Sequence, residues 1–128
     1  MGFIWVNGCF DVLHVGHISL LEYANSLGHV LVVGIDSDER VKKLKGSSRP
    51  FNNQNDRKKM LESIKYVDVV QIFNDETEML ELIRSYKCDT IVVGNEYKDK
   101  KVVGSELVDK VIFFKKIDGY STTNILKN

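Results

Sequence analysis

The sequence predicts an α/β fold: a doubly wound sheet of five parallel strands in a single domain spanning residues 1–128. Three observations carry that prediction. Short β-branched and aromatic runs alternate with segments of helical periodicity. Most of those runs are apolar on both faces, as strands covered by helices on both sides must be. The length, 128 residues, suits one domain with a real core and is too short for two.

The first strand is "FIWVN", residues 3–7. After it Leu20, Leu21, Ala24 and Leu27 recur at helical spacing, and Gly28 is placed to end that helix. "HVLVVGID", residues 29–36, is the second strand, and "KGSSRPFNNQN", residues 45–55, with the only proline, reads as a loop. A helix is expected over residues 56–64, then a third strand "VDVVQIF" at 67–73. Asp75 with Glu78 resembles a capping box ahead of the helical "MLELIRSY". "DTIVVG", residues 89–94, is the fourth strand, residues 95–105 the next loop, and "KVIFFK", residues 110–115, the fifth strand. A short helix is expected to open near Ser121. Repeated βαβ units with right-handed crossovers give the doubly wound, Rossmann-like topology. There is no internal repeat or low-complexity segment. In such a sheet ligands bind beyond the carboxyl ends of the strands, where strand order reverses. That rule gathers three polar, glycine-bearing loops at one edge: residues 7–11, 94–97 and 116–121.

Composition removes several classes of function. Eighteen basic side chains balance eighteen acidic ones, so no general affinity for nucleic acid is expected and any anion must be bound locally. The longest apolar run, "VLVVGI", is far short of the roughly 20 residues of a membrane helix. Gly2 is followed by Val6 where a myristoylation signal wants Ser or Thr. No membrane role is expected. Cys9 and Cys88, with no secretory leader legible ahead of them, suit free thiols in a cytoplasmic protein.

Chemistry concentrates in "NGCFDVLHVGH", residues 7–17, which holds two of the three histidines. Gly8 lets backbone approach a phosphate closely, and a helix start presents free N–H groups and a positive dipole end. His14 and His17, at i and i+3, point the same way. Zinc is the competing reading, with Cys9 as third ligand, but the Cys-to-His spacing matches no common zinc pattern. Capping and packing by the two rings is the plain structural alternative. The glycines match neither the dinucleotide fingerprint nor the P-loop, which disfavours hydride transfer and P-loop phosphoryl transfer. "DGYSTTNIL" places Gly119 before Ser121, Thr122 and Thr123 at an expected helix start, a second candidate phosphate cradle, with N-capping by Ser121 as the alternative. Lys42, Lys43, Lys45, Arg49, Arg57 and Lys58 cluster around residues 47–55; most should be solvated, with one or two reaching a phosphate.

The H-x-G-H of "NGCFDVLHVGH" and the later "DGYSTT" resemble the two signatures of the cytidylyltransferase-like nucleotidyltransferases, and the resemblance spans essentially the whole chain. "LKGSSRPFN", "IFNDET" and "GYSTTNIL" look most like the adenylyltransferase domain that activates D-glycero-β-D-manno-heptose 1-phosphate; glycerol-3-phosphate cytidylyltransferases are next. Residues 93–97, "VGNEY", stand where the heptose enzymes usually have Lys-Gly-Gly-Asp-Tyr, close to the base. Lys116 stands where the glycerol-3-phosphate enzymes usually carry Arg, and Cys9 where they carry Thr.

The resemblance implies transfer of a nucleotidyl group, AMP favoured, from an NTP to a sugar phosphate such as heptose 1-phosphate, with release of pyrophosphate. A polyol phosphate or phosphonate cytidylyltransferase and a non-catalytic nucleotide-binding module are the alternatives. It implies Mg²⁺ held mainly by the NTP phosphates rather than by dedicated protein ligands, with Asp11 orienting the histidine loop or touching the metal through water. His14 and His17 would donate to the α- and β-phosphates, and Lys45 would meet the developing charge or the acceptor phosphate. Gly8, Cys9, Phe10, Asp11 and Gly16 would line the nucleotide, with Gly94, Asn95 and Tyr97 at its base or ribose. Gly119, Ser121 and Thr122 would hold the β- and γ-phosphates, and Arg57 the acceptor or the triphosphate. The partners are then ATP or CTP and a small phosphorylated sugar or polyol, with a homodimer as one candidate assembly.

Overall fold

A computed structural model describes residues 2–95 and 98–115. Five strands form one sheet: β1 (Phe3–Gly8), β2 (Val30–Asp36), β3 (Val69–Phe73), β4 (Cys88–Gly94) and β5 (Lys110–Phe114). Their order is β3-β2-β1-β4-β5 and every pairing is parallel. The chain builds outward from β1 to β3, then returns to the other side of β1 for β4 and β5. Strand order therefore reverses between β1 and β4.

Side-chain alternation divides the core between the two faces. Ile4 and Val6 of β1 pack on one face with Leu21 and Ala24 of α1 (Val15–Asn25) and Leu61 of α3 (Gln54–Glu62). Trp5 faces the opposite way, into a cluster with Phe73 and with Met79 and Ile83 of α4 (Glu76–Ser85). Gly34 on β2 is the partner position of Asn7, and a Cβ there would sit inside the ring of Trp5. Trp5 is fully buried and has nowhere to go. Gly34→Ala is therefore expected to destabilise the fold by about 2–3 kcal/mol through overpacking, read as a fall in thermal midpoint; an unchanged midpoint would mean that Trp5 repacks freely.

Several local expectations shift. Helix α1 stops at Asn25 with Ser26 as its cap, ahead of Gly28. Gly28 has a different reason to lack a side chain: a Cβ would press on the Gly2 carbonyl and on Ile4. Helix α3 starts and ends two residues earlier than periodicity suggested, because the side chain of Asn53 accepts from the Asp56 N–H and fixes the start. Asp75 caps α4 through the Glu78 N–H. Glu78 reaches back to the N–H of Asn74 rather than that of Asp75, so the capping box is only half formed. Helix α2 (Asp38–Lys45) was not anticipated. Its only buried residue is Val41, so it has no apolar stripe to betray it. What specifies it is the Ser37 cap, with Asp38 and Glu39 in the first turn and Lys42, Lys43 and Lys45 in the last. A short 3-10 helix, Ser105–Leu107, begins at the last residue of the second expected loop. The helix expected near Ser121 lies outside the described residues. Among the described residues no helix is long and apolar enough to cross a membrane.

Candidate active site

The carboxyl end of β1 runs through Gly8 into a loop that enters α1. Phe10 turns that loop with φ of 50°, a left-handed backbone costing a non-glycine residue on the order of 1 kcal/mol. Burial holds it there. Phe10 is 6% exposed, its ring packs 3.1 Å from where a Gly8 Cβ would stand, and it meets the His17 ring edge to face at 5.2 Å between centroids.

The histidines close the start of α1. His14 is the N-cap, and its Nδ1 accepts from the Gly16 N–H at 3.1 Å. His17, three positions into the motif, accepts from the His14 N–H through its own Nδ1 at 3.2 Å. This is a capping box built from two imidazoles. The rings stack, with centroids 3.8 Å apart and planes 25° from parallel. Since each Nδ1 is an acceptor, each ring carries its proton on Nε2. Capping engages the Nδ1 of each ring, so it does not by itself exclude the phosphate-donor reading of the pair. The caps fix the orientation in which two Nε2–H donors stand side by side at a helix N-terminus.

Asp11 is 1% exposed. One carboxylate oxygen accepts from the Asn52 N–H at 2.8 Å; the other accepts from the Phe51 N–H at 2.9 Å and from Arg49 Nε at 3.0 Å. The Asn52 amide donates back to the Asp11 carbonyl at 2.6 Å. Burial alone would push this carboxyl up, but the Asn52 and Phe51 N–H groups and the Arg49 guanidinium prevail and hold it below the usual carboxylate range. Both oxygens are thus committed to pinning residues 49–52 onto the histidine loop. That is the first of the two roles considered for Asp11, orienting the histidine loop.

A depressed carboxyl contributes stability that is complete above its unfolded value and is lost as pH falls through the folded value. Asp11→Asn is accordingly expected to cost roughly 3 kcal/mol at pH 7, because one amide N–H then faces donors. The gap to wild type should narrow below about pH 4. A gap constant from pH 7 to pH 3 in denaturant titrations would show that the charge does not matter.

Arg57 departs furthest from expectation. Placed by sequence among residues reaching for the acceptor or triphosphate, it is fully buried. Its guanidinium donates to the carbonyls of Asn52 at 2.9 Å, Cys9 at 2.9 Å and Asp36 at 2.8 Å, and to the Asp38 carboxylate at 2.8 Å. Arg57 is a hub that binds the histidine loop, the end of β2, the start of α2 and residues 49–52 to one another, and it presents no surface to a substrate.

Lys45 ends α2 and is exposed. Its charge reaches Cys9: burial pushes the Cys9 thiol up, and Lys45 and Arg57 only partly offset that. Cys9 therefore stays a thiol at neutral pH, unsuited to nucleophilic attack. Among the described residues no group of three or more His, Cys, Asp or Glu side chains gathers as a metal site. Gly94 ends β4 and Asn95 follows it, exposed. Tyr97, Lys116, Gly119, Ser121 and Thr122 lie outside the described residues.

A pocket of about 170 Å³ opens at the strand-order reversal, lined by Val6 and Asn7 of β1, Leu20 of α1, and Val92 and Gly94 of β4. A larger hollow of about 330 Å³ lies at the other end of β4, beside Lys87 and Asp109. Its one thiol, Cys88, is pushed up to about 11 by burial. The smaller pocket is the one at the carboxyl edge, where an open α/β sheet binds its ligand. Asn7 and Asn52 had not been singled out by sequence, and Arg49, expected only as one of a basic cluster, pairs with Asp11. The signal for Arg49 and Asn52 was their place in "RPFN", a segment whose family likeness had no residue-level explanation.

A family model described as cytidylyltransferase-like matches residues 5–128. The chain belongs to that family, and its class is nucleotidyltransferase. Among curated relatives, the bifunctional protein HldE of Campylobacter fetus is 51% identical over 96% of this chain, and that of Aliarcobacter butzleri is 50% identical over 97%. The chain spans only 27% and 26% of their respective lengths. Among solved structures, a lipopolysaccharide core biosynthesis protein from Thermoplasma volcanium superposes with a TM-score of 0.75 at 27% identity, covering 92% of this chain and 99% of that one. Pantothenate synthetase from Thermus thermophilus, 14% identical with a TM-score of 0.65, covers 98% of this chain and 61% of its own, and shares the fold.

Proposed function

We propose that the protein transfers a nucleotidyl group from an NTP, ATP in preference to CTP, to the phosphate of a small sugar phosphate of the heptose 1-phosphate class. The observation that carries this reading is the pair of stacked imidazoles that cap the N-terminus of α1 through their Nδ1 atoms, in the loop that leaves the carboxyl end of β1 where strand order reverses. An acceptor phosphate oxygen attacks the α-phosphorus, and the bond from that phosphorus to the bridging oxygen breaks. Pyrophosphate leaves with the electron pair. The acceptor is already ionised at neutral pH, so no covalent enzyme intermediate is needed, in keeping with a protonated Cys9.

The chain's task is alignment and charge stabilisation. His14 and His17 donate to the α- and β-phosphate oxygens, Lys45 meets the developing charge or the acceptor phosphate, and Gly94 and Asn95 border the nucleoside. Gly119, Ser121 and Thr122 are proposed for the outer phosphates and Tyr97 for the base or ribose. Mg²⁺ carried on the triphosphate would neutralise phosphate charge, with the phosphate oxygens as its main ligands. The acceptor class is supported by the segments "LKGSSRPFN", "IFNDET" and "GYSTTNIL" and by the lipopolysaccharide-core name of the Thermoplasma neighbour. The test is a matrix of ATP and CTP against heptose 1-phosphate and glycerol 3-phosphate, read by pyrophosphate release. Turnover with ATP and the heptose supports the reading; a preference for CTP of tenfold or more moves the protein to the cytidylyltransferase branch, and nucleotide binding without turnover leaves a binding module.

A further inference from the structure

The Trp5 side chain is fully buried, yet its indole N–H must find an acceptor, and it donates to Asn7 Oδ1 at 3.0 Å. An indole nitrogen is only ever a donor, so this contact fixes which end of the Asn7 amide is which. The oxygen points back at Trp5. The NH₂ group faces away from it, and among the described residues it donates to nothing. Asn7 is exposed and lines the pocket between β1 and β4, across from Gly94. A rigid aromatic under the sheet thus holds a hydrogen-bond donor in a set orientation on the pocket wall.

We propose that the Asn7 amide reads the ribose of the bound nucleotide, its NH₂ donating to a ribose hydroxyl oxygen. The inference rests on the nucleotidyl-transfer reading above. If the α-phosphate lies at the His14 and His17 Nε2 atoms, the unit bonded directly to it is the ribose, which must then cross the ends of β1 and β4. Asn7 stands there, one residue before the glycine that opens the histidine loop. Val6, Leu20 and Val92 beside it are apolar, and the charged residues that also line the pocket, Arg40, Glu76 and Lys101, come from other elements. At the end of β1 the amide is the neutral donor whose direction is fixed, and so the group set to tell a hydroxyl from a hydrogen.

Trp5 is the only tryptophan, and its contact with Asn7 makes its fluorescence a reporter of the pocket, independent of turnover. Whichever of ATP and CTP binds tighter is titrated into wild type, Asn7→Ala and Asn7→Asp, alongside its 2′-deoxy and 3′-deoxy forms, with ligand-induced thermal shift as a second readout. Wild type is expected to bind the ribonucleotide roughly 3- to 10-fold more tightly than one of the deoxy forms, the worth of one hydrogen bond. Asn7→Ala should lose that factor for the ribonucleotide alone, abolishing the discrimination. Asn7→Asp keeps an oxygen for Trp5 but has no donor, and should lose at least as much. Equal weakening for ribo and deoxy forms would mean that Asn7 serves a phosphate or merely the pocket wall, and would overturn the inference, as would wild-type affinity in Asn7→Asp. Absence of nucleotide binding by wild type would overturn it together with the reading beneath it. Binding without pyrophosphate release would defeat only the latter.

Discussion

His17→Ala is expected to lower turnover by roughly 10²- to 10³-fold while the sheet stays folded. A preorganised donor that meets charge appearing in the transition state is worth several kcal/mol in a water-poor site. Alanine removes the Nε2 donor and also the Nδ1 acceptor that satisfies the His14 N–H. The second loss is a matter of stability, about 1 kcal/mol as for other helix caps. His14 permits a cleaner separation. Serine is a strong N-cap, so His14→Ser should keep the Gly16 N–H satisfied and the thermal midpoint near wild type, yet lose turnover on a similar scale. Loss in kcat with little change in the Michaelis constant for NTP would place both rings on the transition state. Near wild-type turnover in either variant would reduce that histidine to a cap.

The capping box explains why the pair was legible. Two histidines at i and i+3 after a strand-glycine turn can only start a helix on one face, and that much is local in sequence. The five strands were legible for a similar reason: Leu31, Val32, Val33 and Ile35 are all buried, and a run apolar on both faces is a signal contained in the run itself. Helix α2 was not, because its specification lies in a serine cap and charge order rather than in a stripe. The partners of Asp11 were out of reach as well. Its carboxylate is met by backbone N–H groups 40 and 41 residues further along the chain, and no side-chain identity announces a backbone donor. Arg57 misled for a physical reason. An arginine in a basic, polar run is nearly always solvated, and it is buried here only because carbonyls from three separate segments and the Asp38 carboxylate converge on it.

That convergence makes Arg57 the residue whose loss should cost the fold most. Arg57→Ala leaves three carbonyls without their donor around a side-chain-sized void, at a cost of about 1–3 kcal/mol for each group left unpaired in the interior. The Asp38 carboxylate, 30% exposed, adds less because water can reach it. Against a total stability of about 5–15 kcal/mol for a domain, a large drop in thermal midpoint or failure to accumulate folded protein is expected. Arg57→Lys gives the more discriminating result. Lysine keeps the charge and much of the volume, but its ammonium has three donors at a point where the guanidinium spreads four bonds across a fork. It can follow Asp38 or the Cys9 and Asp36 carbonyls, not all of them. The histidine loop and the helix that ends in Lys45 then lose their common anchor, so kcat should fall together with the thermal midpoint while the Michaelis constant for the sugar phosphate changes little. Had Arg57 bound the acceptor, lysine would raise that Michaelis constant at an unchanged midpoint. Measuring the two quantities on the same preparation decides between them, because a residue with no exposed surface can influence the acceptor only through the groups it holds in place.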